Sequence, residues 1–311
     1  MAYEIGTGYG LPALYEPYDF ISETSFAGSL SDQVVIVTGA SAGIGYAIAK
    51  AFGKTGAKVV VTARREEPLK KLVEEIKSAG GKAVAIVKDV AARGAAKELI
   101  TEVQQQVGPI DVCVWNAGIA RLSPLVNEDE DIDIWWRVHE VNVRAPVALT
   151  RAVLPSMIER KTGTIITVSS NVATMALPCM AAYASSKAAI SKFHESITPE
   201  LEGTGVTTFA VNPGMVKSEL GAPEDAFNKQ AIEHPAMQAF MASMQATRKW
   251  QEAELPAQFC VALAAEPRVK VLTGHHLNAE QDLEAVIKEA EKEGKGRVGK
   301  ERLYYVNIGF L

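Results

Sequence analysis

Residues 34–45 read VVIVTGASAGIG, and alanine-rich amphipathic chain follows them. Val, Ile and Thr suit a pleated, buried surface, so the first five positions read as a strand. The three glycines then carry the turn out of it. Gly39 permits a tight turn, Gly43 lets the backbone approach a bound group, and Gly45 allows the next helix to lie close to the sheet. A strand, a glycine loop and a helix from about residue 43 make an anion cradle, because first-turn N–H groups lack partners and the aligned peptide dipoles favour negative charge. Gly39, Ser41, Gly43, Ile44 and Gly45 are therefore assigned to the pyrophosphate of a dinucleotide.

The same alternation continues along the chain. KVVVTA at 58–63, AVAIVKDV at 83–90, DVCVWNAG at 111–118, GTIITVSS at 163–170 and VTTFAVNPG at 206–214 are apolar runs separated by helical spacing. Nearly continuous apolar strands are what a parallel sheet needs when helices cover both faces. The predicted fold class is α/β, a doubly wound (Rossmann) parallel sheet in a single domain. Such sheets bind ligands beyond the carboxyl ends of their strands, where Gly39, Asp89, Asn116, Ser170 and Pro213 stand.

Composition narrows the field. The chain has 311 residues, 48% hydrophobic and 22% charged, with a net charge of −5, ordinary values for a globular protein and no footprint for nucleic acid. Cys113, Cys179 and Cys260 have neither CxxC nor metal-ligand spacing, and His275 and His276 lack the company of a metal helix. No metal is expected, and a reducing, cytoplasmic compartment fits. The first twenty residues have no basic n-region or apolar h-region, so they read as part of the mature chain. Thr162 to Ser186 is a run of 25 uncharged residues, but Ser169, Ser170, Asn171, Pro178 and Ser185 would be costly in hydrocarbon, so a strand, a polar loop and a helix are expected rather than a membrane span.

The glycine spacing is T-G-x-x-x-G-x-G. With Asn116-Ala117-Gly118, Asp89-Val90, Ser170, Tyr183-x-x-x-Lys187, Asn142 in the preceding helix, and Pro213-Gly214 followed by Ser218, the chain resembles the short-chain dehydrogenase/reductase family over about residues 33 to 260. Trp115 stands where a second Asn is common, and Ser218 replaces the more frequent Thr. The resemblance implies a catalytic set of Asn142, Ser170, Tyr183 and Lys187. It implies that Ser170 bonds the substrate oxygen, that Lys187 also holds the nicotinamide ribose, and that Asn142 positions a water linking Lys187 to solvent. Asp89 and Val90 would meet the adenine; Asn116, Ala117 and Gly118 would line the cofactor; Pro213, Gly214, Val216 and Ser218 would close over the nicotinamide.

The chemistry explains the spacing. Reduction of a ketone needs a proton for the developing alkoxide. A tyrosine with its ordinary pKa of about 10 needs a nearby positive charge to shuttle protons at neutral pH. Tyr183 and Lys187, four apart, share one face of a helix; taken alone such a pair would be a surface pair, and its place among the other motifs reverses that. Ser169, Ser185 and Ser186 read as ordinary small polar residues. At the end of the second strand Ala63 stands where an acidic residue would bond a ribose 2′-hydroxyl, and Arg64 and Arg65 follow. NADP(H) is thus preferred, through the planar Arg64 guanidinium. NAD(H) is the alternative, with Glu66 turned back to the ribose.

The expected organisation is an irregular arm over 1–30, a Rossmann catalytic domain over 31–275 with a substrate lid at about 215–255, and a C-terminal helix and tail over 276–311. NVATMALPCMAA and the lid, rich in Met, Leu, Phe and Ala, suggest an apolar substrate cavity, equally readable as plain core. EQDLEAVIKEAEKEG at 280–294 reads as a solvated helix, and LYYVNIGFL as a last strand. LTGHHLNAEQDLEAV looks similar to tails of fungal family members that tailor secondary metabolites. The expected function is hydride transfer between nicotinamide and a ketone or secondary alcohol of an apolar or aromatic small molecule; the alternatives are a cofactor-retaining isomerase or epimerase and a non-catalytic dinucleotide sensor. By resemblance the helices carrying Asn142 and Tyr183 pair with symmetry mates, giving a homodimer or homotetramer.

Overall fold

The computed structural model describes residues 11–216, 226, 228–247, 250–301, 303 and 304. All six apolar runs form strands: β1 (Val34–Thr38), β2 (Lys58–Ala63), β3 (Lys82–Val87), β4 (Ile110–Trp115), β5 (Gly163–Val168) and β6 (Val206–Asn212). They join a seventh, β7 (His276–Asn278), in one parallel sheet of order β3-β2-β1-β4-β5-β6-β7. The order reverses between β1 and β4, which leaves a crevice beyond their carboxyl ends.

The helices are α1 (Gly43–Gly53), α2 (Glu66–Ser78), α3 (Ala95–Gln106), α4 (Asp133–His139), α5 (Ala145–Arg160), α6 (Ala181–Ile197), α7 (Lys229–Glu233), α8 (Pro235–Thr247), α9 (Glu254–Ala265), α10 (Leu283–Ala290) and α11 (Gly296–Lys300). Alternate strand residues face opposite layers. Val35 and Val37 pack with Ile48 and Phe52 of α1, Leu69 and Leu72 of α2, and Phe259 and Leu263 of α9. Val34 and Ile36 pack with Leu99 and Val103 of α3 and Leu149 and Val153 of α5. Both faces being covered is why the runs do not alternate in the sequence. The uncharged run from 162 to 186 becomes β5, a turn at Asn171–Thr174 and the start of α6, and no helix among the described residues is long and apolar enough to cross a membrane.

Three expectations need correction. The seventh strand lies in the stretch read as tail, at the expected boundary between residues 275 and 276. It has only three residues, none β-branched, and is held by partners from β6: Ala210↔His276, Val211↔Leu277 and Asn212↔Asn278. Helix α10 is not a solvated rod, since Leu283, Val286, Ile287 and Ala290 are buried, an i, i+3, i+4, i+7 stripe that the sequence did contain. The N-terminal segment is tied in rather than merely laid on. Ile21 and Leu30 are buried in the core, Leu14 N donates to Glu280 O at 2.7 Å, and Leu283 N donates to the Tyr18 hydroxyl at 2.6 Å. In LYYVNIGFL, Leu303 and Tyr304 form a turn; the rest of that expected strand lies outside the described residues, as does Ser218.

Candidate active site

Thr38, the last residue of β1, organises the cofactor end. Its Oγ1 accepts from the backbone N–H of Asn116 at 3.0 Å and of Ala117 at 3.1 Å, drawing the Asn-Ala-Gly turn after β4 against the glycine loop after β1. Asn116 Nδ2 donates to Thr38 O at 3.0 Å and Gly39 O at 3.2 Å. Gly39 and Gly43 have φ of 67° and 54°, left-handed conformations that favour glycine. Gly45 has a different reason from the one expected. A Cβ there would run into Asn116 Nδ2 and lie 2.5 Å from Gly39 O, so the glycine makes room for the Asn116 clamp.

Helix α1 begins at Gly43, and Ala42 before it provides no side-chain cap. Its first-turn N–H groups therefore face the cavity with their partial positive charge. That cavity, about 550 Å³, is bounded by Gly39, Ser41, Gly43 and Ile44 at the helix end and by Ala63, Arg64 and Arg65 after β2; Asp89 and Val90 flank it, and it runs past Asn116, Ala117 and Gly118 to Ser170, Tyr183 and Lys187, closing at Pro213, Gly214 and Val216. An uncapped helix N-terminus, a loop turned by left-handed Gly39 and Gly43, and arginines at one end fit a phosphorylated dinucleotide. Arg65 donates to Ser41 Oγ at 3.2 Å, which links the arginine pair to the glycine loop. Asp89 accepts from Ala91 N at 2.9 Å and pairs with Arg137 at 3.2 Å. Arg137, a partner the sequence reading missed, is further held by Glu140 at 2.8 Å.

At the other end, Lys187 is buried and its Nζ donates to Val168 O at 2.8 Å. The same nitrogen stands 5.6 Å from the centre of the Tyr183 ring. Asn142 lies in a π-helical turn, Glu140–Arg144, between α4 and α5, a local widening often found at functional positions. Its Oδ1 accepts from Ile119 N at 2.9 Å, and its Nδ2 donates to Ile119 O at 2.9 Å and Ser186 Oγ at 3.0 Å. Ser186 is thus more than a small polar filler. Gly118 is packed among these groups, where a Cβ would meet Asn142 Oδ1 at 3.3 Å and Lys187 Nζ at 3.5 Å.

Burial sets the electrostatics. It pushes the Tyr183 phenol up to about 12, with a hydrogen bond from Ser170 acting the other way. It pushes the Lys187 ammonium down to about 8. Desolvation, rather than the lysine's charge, governs the phenol, and it acts on both groups because they share one pocket.

Two further groups escaped the sequence reading. Asn212, at the end of β6, accepts from Asn171 N at 3.0 Å and donates to Asn278 Oδ1 at 2.8 Å, fixing the turn beside Ser170 to the end of β7. Beneath Lys187, Ser169 and Ser191 are 2.7 Å apart, both donate to Lys187 O, and His276 Nδ1 is 2.8 Å from Ser191. A polar residue every few positions carries no periodic signal, which hid this network.

Beside Tyr183 lies an apolar cluster of Ala120, Leu122, Ala231, Met237 and Phe240, flanked by Leu177, Cys179 and Met180. The segment carrying α7 is stitched to it by Leu122 N to Ala226 O at 2.7 Å and Asn228 N to Leu122 O at 2.9 Å.

A doubly wound sheet with a glycine cradle at its switch point, and Ser170, Tyr183 and the buried Lys187 at the far end of one cavity with the buried Asn142 behind them, defines a nicotinamide-dependent oxidoreductase. The chain belongs to the short-chain dehydrogenase/reductase family: the short chain dehydrogenase profile matches residues 33–229. A short chain dehydrogenase of Pseudocercospora fijiensis is 58% identical over 301 residues, 97% of either chain. The ketoacyl reductase HetN of a Nostoc species is 36% identical over 63% of this chain and 68% of its own length. Among solved structures, a point variant of the actinorhodin polyketide ketoreductase with NADPH is 29% identical with a TM-score of 0.69, covering 79% of this chain and 95% of that one. A metagenomic short-chain oxidoreductase in complex with NADP is 32% identical with a TM-score of 0.62, covering 76% and 93%. Like its relatives, the chain is an oxidoreductase of the alcohol and ketone type.

Proposed function

We propose that the protein is an NADP(H)-dependent oxidoreductase that interconverts a ketone and a secondary alcohol on an apolar or aromatic small molecule. The observation that carries the reading is the continuous cavity from the uncapped α1 N-terminus and Arg64 to Tyr183 and Lys187. Glu66, the residue that would have favoured NAD(H), pairs instead with Lys70 at 2.9 Å. Two similar structures hold the phosphorylated cofactor. The apolar cluster against Tyr183 supports an apolar substrate, and the similarity to a polyketide ketoreductase is consistent with a secondary metabolite.

Gly39, Ser41, Gly43 and Ile44 would hold the pyrophosphate, with Gly45 behind them making room for the Asn116 clamp, Arg64 and Arg65 the 2′-phosphate, Asp89 and Val90 the adenine, and Pro213, Gly214 and Val216 the nicotinamide. When bound, the nicotinamide supplies or accepts the hydride. Ser170, whose hydroxyl favours the ionised Tyr183 phenol, and Tyr183 orient the substrate oxygen, and Tyr183 delivers the proton to it. Lys187, with a pKa near 8, stabilises the phenolate left behind and can return a proton to it near neutral pH. Asn142 holds the 119 turn and the α6 start in register for that exchange. A homodimer or homotetramer through α5 and α6 is part of the reading, and three free cysteines support a reducing, cytoplasmic setting.

Arg64→Asp tests the cofactor assignment. The Michaelis constant for NADPH is expected to rise at least tenfold more than that for NADH with any ketone that is turned over; equal effects on both would refute it.

A further inference from the structure

The loop that closes the cofactor cavity, Pro213 to Val216, is gripped from behind by two residues that neither the family motifs nor the cavity wall include. Gln251 N donates to Met215 O at 3.0 Å, and Val216 pairs with Gln251 in a parallel bridge. The Gln251 side chain, 3% exposed, lies under Gly214, where a Cβ would be 2.7 Å from Gln251 Cδ and 2.9 Å from Glu280 Cγ. Gln251 Nε2 donates to Glu280 Oε1 at 3.2 Å, and Glu280 is itself 4% exposed. A carboxylate is kept this deep only when hydrogen bonds compensate its lost hydration. Glu280 is anchored on both sides: its N–H donates to Asn278 Oδ1 at 3.1 Å, and its carbonyl accepts from Leu14 of the N-terminal segment.

We infer that Gln251 and Glu280 are positioning residues, which hold the backbone of residues 213–216 in place for the nicotinamide and through which the N-terminal segment and the chain after β7 set the cofactor site. The inference rests on the reading above that this loop meets the nicotinamide. Gly214, at φ 80°, is then required both by its left-handed backbone and by the approach of Gln251.

The test uses three variants of the full chain, Gln251→Glu, Glu280→Gln and the exchange of both. Gln251→Glu sets two carboxylates face to face. The double variant restores one amide N–H facing one carboxylate. Two measurements are made: hydrogen exchange at the Gly214, Met215 and Val216 amides without cofactor, and affinity for NADPH beside affinity for 2′,5′-ADP, which lacks the nicotinamide. Expected are faster exchange at the three amides in both single variants, NADPH binding weakened about tenfold, unchanged 2′,5′-ADP binding, and recovery in the double variant. Unchanged exchange, or equal weakening of both ligands without recovery, would overturn the positioning role. Loss of NADPH and 2′,5′-ADP binding in the wild-type chain would instead overturn the cofactor reading on which it rests.

Discussion

Lys187 Nζ stands 5.6 Å from the Tyr183 ring centre while it donates to the carbonyl of Val168 at 2.8 Å. The lysine is thus tethered to the end of β5, one strand position before the serines, and α6 presents the tyrosine to the same edge. The shared burial acts on the two groups in opposite directions, taking the lysine down to about 8 while the phenol rises to about 12.

Tyr183→Phe removes the proton donor and leaves the ring in its apolar cluster. Turnover of ketone substrates is expected to fall at least about a thousandfold, in the range of a lost general acid, while NADPH binding, followed by its fluorescence, stays within about twofold of the wild type. Retained turnover would sink the assignment.

Asn142→Ala strips partners from both backbone groups of Ile119 and from Ser186. Each buried group left unpaired costs about 1–3 kcal/mol. A loss of about 2 kcal/mol or more in urea unfolding is expected with the loss of activity, whereas Tyr183→Phe should leave stability nearly unchanged. Equal stability of the two variants would show that Asn142 does not hold the turn.

Gly45→Ala drives a methyl group into the Asn116 side chain and the Gly39 carbonyl. Because one of those is backbone, the glycine loop has to move. Calorimetric titration should show NADPH affinity reduced at least tenfold, and an unaltered affinity would mean that the loop yields freely.

Acid should destabilise the fold through two buried imidazoles. Burial pushes His194 down to about 3 and His276 down to about 4, from an ordinary 6.5. Both are neutral in the native state, so below pH 6.5 the unfolded chain takes up protons first and stability falls. The contribution is complete above about pH 6.5 and is lost as pH drops towards 4, with a limiting slope of about 1.4 kcal/mol per pH unit for each histidine. Urea unfolding between pH 4.5 and 7 measures it, and His276→Gln should flatten the slope; an unchanged slope would place the titration elsewhere.

Much of the fold and of the residues that line the cavity could be read in advance because both have local signatures. Six apolar runs, five of them closed by Gly39, Asp89, Asn116, Ser170 or Pro213, announce a parallel sheet and its functional edge, and Tyr183 and Lys187 lie one helical turn apart. Three glycines in eight residues mark a cradle, although the reason for Gly45 lies in Asn116, far along the chain.

What stayed hidden depends on residues far apart in the chain. Thr38 and Asn116 meet across 78 positions, Arg137 and Asp89 across 48, and Asn212 and Asn278 across 66. β7 is three residues that become a strand only because β6 offers its edge. The sequence by itself determined the order of the first six strands, the cradle and the Tyr–Lys spacing, since periodicity and glycine placement are properties of neighbours. Only the tertiary structure decided that Gln251 and Glu280 meet behind Gly214, with Leu14 bonded to Glu280, and that burial would raise the Tyr183 phenol. Both follow from packing and desolvation, which come into being when distant segments close over one another.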